Sequence, residues 1–240
     1  MGRRVMKLDV LYEDNHILVV VKPPNVLSQE DSTGDADMLT LCKEYVKEKY
    51  SKPGNVYIGL VHRLDRPVGG VMVFARTSKA ASRLSEEIRS RSLKKGYLAV
   101  LRGCPEKRNA RLEDYLVKDS KKNQVSVVKE GEEGAKKALL SYGVEGEADG
   151  LCLVRIELET GRPHQIRVQF ASRGCPLYGD QRYGARVNTA GEQIALWSYH
   201  ISFMHPTLKE RMDFFAYPPK EYPWSMFDIE SVKVNNHGTL

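Results

Sequence analysis

Cysteine is scarce in this chain: four among 240 residues. Cys42, Cys104, Cys152 and Cys175 form no Cys-x-x-Cys pair, and no histidine stands at finger-type spacing from two of them, which excludes a zinc site of the usual kind. Their wide spacing supplies no disulfide framework either, so reduced, buried thiols in a reducing compartment are expected. Long hydrophobic runs are absent as well. The longest early one, Ile17 to Val21, is far too short to cross a bilayer. The start, Met1-Gly2-Arg3-Arg4-Val5-Met6-Lys7, is basic but lacks the apolar stretch of a secretory signal, and Met6 denies Gly2 a myristoylation context. A cytoplasmic protein with no membrane partner follows as the expectation. The phosphate-cradling glycine loop of nucleotide-binding proteins and the dinucleotide fingerprint are both missing, so neither a nucleotide cofactor nor a metal is expected. There are no internal repeats, and no shift in composition marks a second domain.

What is present is an ordinary globular composition, with 41% hydrophobic and 28% charged residues. Lys and Arg number 37 against 31 Asp and Glu, a formal charge of +6. That balance fits a polyanionic partner without requiring one. Alternating and then continuous apolar residues over Asp9 to Val21 predict paired strands around Glu13-Asp14-Asn15-His16. A polar loop over Gln29 to Asp37 follows, then a helix from Leu39 to Tyr50 stopped by Lys52-Pro53-Gly54. Val71 to Ala75 reads as a buried strand. Ser78 reads as the N-cap of a second helix through Arg89, and Tyr97 to Leu101 as a strand. A short hairpin arm is expected within the Lys- and Glu-rich stretch Lys118 to Lys137, and a strand over Leu151 to Glu159. A helix over Gln165 to Ser172 would close at Gly174, and Ile194 to Phe203 returns to strand. The pattern predicts an α+β fold around a mixed, mostly antiparallel sheet. It reads as one domain over residues 9–228, with a basic extension at 1–8 and a polar tail at 229–240, frayed from Val232.

The run Val61-His62-Arg63-Leu64-Asp65-Arg66-Pro67-Val68-Gly69-Gly70 sets one carboxylate between two arginines, just ahead of a buried strand. Flanking cations favour the ionised carboxylate, which then serves as a nucleophile or a base. Taken alone, the same residues also describe a surface ion pair. Three further stretches accompany the run: Tyr12 to Pro24, ending in Lys22-Pro23-Pro24; Lys94-Lys95-Gly96-Tyr97-Leu98-Ala99-Val100; and Thr160-Gly161-Arg162-Pro163-His164-Gln165-Ile166-Arg167-Val168. In this order they resemble the motifs of the RluA-type RNA pseudouridine synthases. Gly179-Asp180-Gln181-Arg182-Tyr183-Gly184 and His205-Pro206 are similar to smaller signatures of that family. The likeness runs from about Asp9 to Pro206. The family's frequent N-terminal S4-type domain finds no room ahead of Asp9.

The resemblance implies the pseudouridine synthase fold, a bisected sheet with flanking helices and a central cleft. It implies an enzyme that flips a uridine out of its RNA, in ribosomal or transfer RNA, and converts it to pseudouridine, as a monomer and without a cofactor. On the same ground Asp65 is the essential carboxylate, Arg167 its bidentate partner, and Tyr97 the ring against the target base, with Ile166 beneath that base. Arg63, two residues before Asp65 and on the same side of an extended loop, would enter the vacated stack or hold the flanking backbone. His62 orients the loop, Lys95 belongs to the substrate-binding set, and His164 and Gln165 brace the site. The residues alone also allow a core tyrosine at 97 and a phosphate-binding or helix-capping arginine at 167. Arg89, Arg91, Lys94, Lys95, Arg182, Arg186 and the Lys121-Lys122 arm are candidates to grip RNA, or simply solvated charge. Where the family usually reads Thr-Ser-Gly after its motif, this chain has Val68-Gly69-Gly70, two hydroxyls fewer. A non-catalytic RNA-binding or RNA-chaperone protein retaining the fold, and a hydrolase using Asp65, are the competing readings.

Overall fold

The computed structural model describes residues 7–234, so the basic start apart from Lys7 and Leu8, and the tail beyond Val234, lie outside the described residues. In chain order come β1 (Asp9–Glu13), β2 (Ile17–Lys22), α1 (Met38–Lys49), β3 (Gly59–Leu60), β4 (Gly69–Ala75) and α2 (Ser78–Arg89). Then follow β5 (Lys94–Arg102), β6 (Asn109–Asp119), β7 (Gln124–Val128), β8 (Lys136–Ala148), β9 (Leu151–Leu158) and α3 (Gln165–Ala171). The chain closes with β10 (Leu196–Met204), β11 (Arg211–Phe215) and the four-residue helix α4 (Ser231–Val234). Two compact units emerge. The first holds the chain up to Leu93 together with Ser198–Ala216, the second Lys94–Trp197 and the chain from Tyr217. Composition does not change at Leu93, where the chain passes from one to the other, which is why the sequence carries no mark of it.

In the first unit the strand order is β1-β2-β4-β10, with β3 also on β4 and β11 on β10. The pairs β1–β2, β2–β4, β3–β4 and β10–β11 are antiparallel. β2 (ILVVVK) and β4 (GGVMVFA) are interior strands, and the apolar residues that run through both are almost entirely buried. Unbroken apolar runs of this kind belong to strands covered on both faces. Ala80 and Leu84 of α2 pack on Ile17, Val19, Val71, Val73, Ile201 and Phe203. The cap of α2 is Thr77 and not Ser78: Thr77 has the extended backbone a cap needs, and its hydroxyl accepts the Ala80 N–H at 3.1 Å. α1 is capped in the same way by Asp37 on Thr40 at 3.0 Å.

His205 explains the His-Pro signature. It is fully buried, and its Nδ1 accepts the N–H groups of Thr207 and Leu208 at 3.3 and 2.9 Å. The ring proton therefore sits on Nε2, which donates to Asp14 Oδ2 at 2.9 Å. Asp14 in turn accepts the N–H groups of His16 and Ile17, both at 2.7 Å, so one histidine ties the turn after β10 to the β1–β2 turn.

The second unit has the order β5-β9-β8-β6-β7, with the described pairings all antiparallel. The expected arm is the β6–β7 hairpin, and its strands extend well beyond it. β6 begins at Asn109, and β8 runs for 13 residues through a stretch whose charged outer face hides its alternation. Val168 of α3 packs with Leu116, Val125, Ala138 and Tyr183 in a small core under the arm. Val232 departs from the expected frayed tail. It lies in α4 and is almost fully buried, because an apolar side chain there has a core to enter.

Candidate active site

The loop carrying Asp65 is fixed on both sides of the carboxylate. Ahead of it, the Ser28 hydroxyl donates to the Leu64 carbonyl at 2.7 Å and accepts the Leu64 N–H at 3.1 Å. His62 is buried and its Nε2 accepts the Val73 N–H at 3.1 Å, so it orients the loop against β4. Behind it, the Val68 N–H closes a turn onto the Asp65 carbonyl at 3.0 Å. His62 and Leu64 are buried, whereas Arg63 is exposed and Asp65 half-buried. This alternation places Arg63 and Asp65 on the more open side, as an extended segment should. Of the two flanking arginines, Arg66 is engaged by Asp35 at 2.7 Å.

Lys22 stands out in the sequence only as part of the Lys22-Pro23-Pro24 turn. Its side chain has no exposure, yet its ammonium donates to three carbonyls: Val68 at 2.7 Å, Arg66 at 2.9 Å and Pro23 at 3.0 Å. Three protons meet three acceptors. A lone lysine ending a continuous apolar strand was the available signal, since it must point into the core or out of its strand. Burial pushes its pKa down to about 7, while the nearby charge of Asp65 pulls the other way. The sign for stability follows. Between about pH 7 and the ordinary lysine range, the unfolded chain holds a proton that the folded chain has released, so stability rises with pH there. We expect wild type to gain up to about 1.4 kcal/mol per pH unit over Lys22→Met in this window. Urea unfolding of both proteins from neutral to mildly alkaline pH measures it; parallel curves would contradict it.

The missing hydroxyls at 68 and 69 are accounted for locally. The turn is closed by the Val68 N–H and the Lys22 ammonium, and both Val68 and Gly69 are buried. Gly70 is indispensable for another reason. Its φ is +120°, and a Cβ there would lie 2.1 Å from the Ser198 carbonyl oxygen. Gly70→Ala is expected to cost on the order of 3–5 kcal/mol, read as a large fall in thermal midpoint.

The second unit holds the remaining candidates. Tyr97 lies in β5, buried, paired across to Ile156 of β9. Ile166 and Gln165 are buried in the first turn of α3. Gln165 works as a latch. Its amide oxygen accepts the Thr160 hydroxyl at 2.8 Å and the Arg162 N–H at 3.0 Å, and its amide nitrogen donates to the Leu139 carbonyl at 3.0 Å. His164 adopts the left-handed conformation (φ 50°) just before α3, where its Nδ1 meets the Tyr183 hydroxyl at 2.8 Å. The bidentate partner expected for Arg167 is Asp65; within this unit its guanidinium forks onto Asp180. Nε and Nη2 each donate to one carboxylate oxygen at 2.8 Å.

Asp180 was seen in the sequence only as part of a signature. Burial works to raise its pKa, but hydrogen bonds and charge from Arg167, with the N–H groups of Tyr183 and Arg182, hold it below the usual carboxylate range. Its loop is fastened in turn by Asn188, which bonds Gly179, Leu177 and Asp180, and by Arg102, forked onto Glu192 and lying over the Tyr178 ring. Among the candidate RNA-gripping cations, Arg89 pairs with Glu86 and Arg182 with the carbonyls of Lys122 and Asn123. Arg91, Lys94, Lys121, Lys122 and Arg186 are exposed. Among the described residues no three His, Cys, Asp or Glu side chains converge as metal ligands, and no helix is long and apolar enough to cross a membrane.

This arrangement can be set beside known proteins. Residues 16–172 match the family described as RNA pseudouridylate synthase. A Bacillus subtilis protein named "Uncharacterized RNA pseudouridine synthase YjbO" is 34% identical over 219 residues, covering 89% of this chain and 74% of that one. "Ribosomal large subunit pseudouridine synthase D" of Zymomonas mobilis is 30% identical over 225 residues, covering 89% and 70%. The solved structure of Human RNA Pseudouridylate Synthase Domain Containing 1 superposes with a TM-score of 0.75 at 21% identity, covering 100% of this chain and 98% of its own; that of Domain Containing 4 gives 0.74 at 20% identity, covering 88% and 89%. The fold is thus the α+β pseudouridine synthase fold. The chain belongs to the RNA pseudouridylate synthase family. It is an isomerase acting on RNA, and the non-catalytic alternative is not favoured.

Proposed function

We propose that this enzyme isomerises discrete uridines in ribosomal RNA, or failing that in transfer RNA, as a cytoplasmic monomer needing neither nucleotide nor metal, with Asp65 as its essential carboxylate. The observation that carries the assignment of Asp65 is the anchoring of its loop: Ser28 before it and Lys22 after it hold the backbone at Leu64, Arg66 and Val68. A carboxylate on a loop pinned at both sides meets the requirement for a positioned reacting group. Relatives whose names specify the ribosomal large subunit support ribosomal RNA as the first substrate to try.

Isomerisation breaks the bond from C1′ of the ribose to N1 of uracil, turns the base while it is held, and joins C5 to C1′; the C5 proton then leaves and N1 gains one. Asp65 serves either by attacking C1′ or by removing a sugar proton to give a glycal. A stacked base is out of reach, so the nucleotide is flipped, at a cost of a few kcal/mol. Tyr97 stacks on the uracil and assists departure of the C5 proton. Arg167 pairs with the reacting carboxylate, and Ile166 packs under the base. Arg63 takes the place of the flipped nucleotide, while His62, His164 and Gln165 hold these groups in position. RNA labelled with tritium at uridine C5 tests the reading. Tritium should pass to water with no free uracil released; uracil release would mean a hydrolase.

A further inference from the structure

Lys95 is the one cation of the candidate set whose surroundings in the fold leave its charge unanswered. It lies near the start of β5, half-buried, and desolvation lowers its pKa. Among the described residues it makes no ion pair and no hydrogen bond. The carboxylates at the end of the neighbouring β9 are committed elsewhere: Glu157 to Arg155 at 3.5 Å, and Glu159 to Arg111 through two bonds of 2.6 and 2.8 Å. The ammonium emerges instead beside Gly161, an exposed residue whose Cβ, if it had one, would stand 3.7 Å from Nζ. Half-buried beside an exposed glycine, the ammonium presents a positive charge that no described protein group takes.

Its place on the strand says what would answer it. Lys95 and Tyr97 are two residues apart in β5, so their side chains leave the same face about 6.7 Å apart. We propose that Lys95 is a phosphodiester-binding residue, taking an RNA backbone phosphate beside Gly161 while the base of the bound strand lies toward Tyr97. This rests on the reading of Tyr97 as the base-contacting ring, and it assigns Lys95 to backbone affinity and not to chemistry. A lysine is suited to that task as a compact point charge without directional demands.

The test is the salt dependence of binding to a fluorescent single-stranded oligouridylate, compared for wild type, Lys95→Met and Lys95→Arg. Lys95→Met keeps the buried stem and removes the charge. Its log–log salt slope should be shallower by about 0.7, the value of one contact to a single strand. Its affinity at low salt should fall several-fold, with thermal stability equal or higher. Lys95→Arg should restore the slope. An unchanged slope in Lys95→Met overturns the proposal. So does a lowered kcat with unchanged slope, which would place Lys95 on the uracil carbonyls instead. Because the slope is measured without turnover, and pseudouridine formation by wild type is assayed separately, failure here is distinct from failure of the proposed chemistry.

Discussion

Asp65→Asn should abolish pseudouridine formation while leaving RNA binding nearly untouched. The substitution keeps the size and planarity of the side chain, and the loop is held by backbone bonds from Ser28 and Lys22 that do not use the carboxylate. The fold and the presentation of residue 65 should therefore survive. What disappears is the ionised oxygen, and an amide can neither attack C1′ nor take a sugar proton. Removing a reacting group of this kind typically costs about 10⁴-fold or more in kcat. Affinity for RNA is dominated by phosphate contacts with cations, so losing one negative charge should leave it equal or slightly tighter. Single-turnover assays paired with equilibrium binding measure both. A loss of binding that parallels the loss of rate would reassign Asp65 to loop structure.

The second large effect is expected at Asp180. Its side chain has no exposure and that of Arg167 only 8%. Asp180→Ala takes from a buried guanidinium the acceptor of two charge-assisted hydrogen bonds, and removing one partner of a buried pair typically costs about 3–5 kcal/mol. The N–H groups of Arg182 and Tyr183, which Asp180 also accepts at 2.9 and 3.2 Å, lose their acceptor at the same time. Activity should fall by about 100-fold or more even at temperatures where the protein is folded, because an arginine released from its fork no longer holds one geometry. Asp180→Asn keeps one acceptor oxygen and should lie between, with most of the stability retained. Urea unfolding alongside turnover separates the two effects. An Asp180→Ala protein with wild-type stability would contradict the arrangement.

These two residues also show what the sequence could and could not reveal. Asp65 was legible because its signal is local: a carboxylate between arginines, a proline and two glycines, then an apolar strand. The elements around it were legible for the same reason, as unbroken apolar strands and capped helices write their own periodicity. Lys22 and Asp180 were not. Each works through partners far along the chain, 46 residues away for the Lys22–Val68 bond and 13 for Asp180–Arg167, and no spacing rule encodes them. β6 and β8 were hidden by the Lys- and Glu-rich faces they turn to water. His205 shows the intermediate case: its motif stood out, but its purpose became clear only when Asp14 was found 191 residues away.

The most direct test of the central claim is a map of pseudouridine across total cellular RNA, by chemical labelling and primer-extension stops, in cells with and without this gene. One or a few sites should vanish with the gene, return with wild type, and stay absent with Asp65→Asn. Restoration of those sites by Asp65→Asn, or no missing site in any RNA class, would contradict the account.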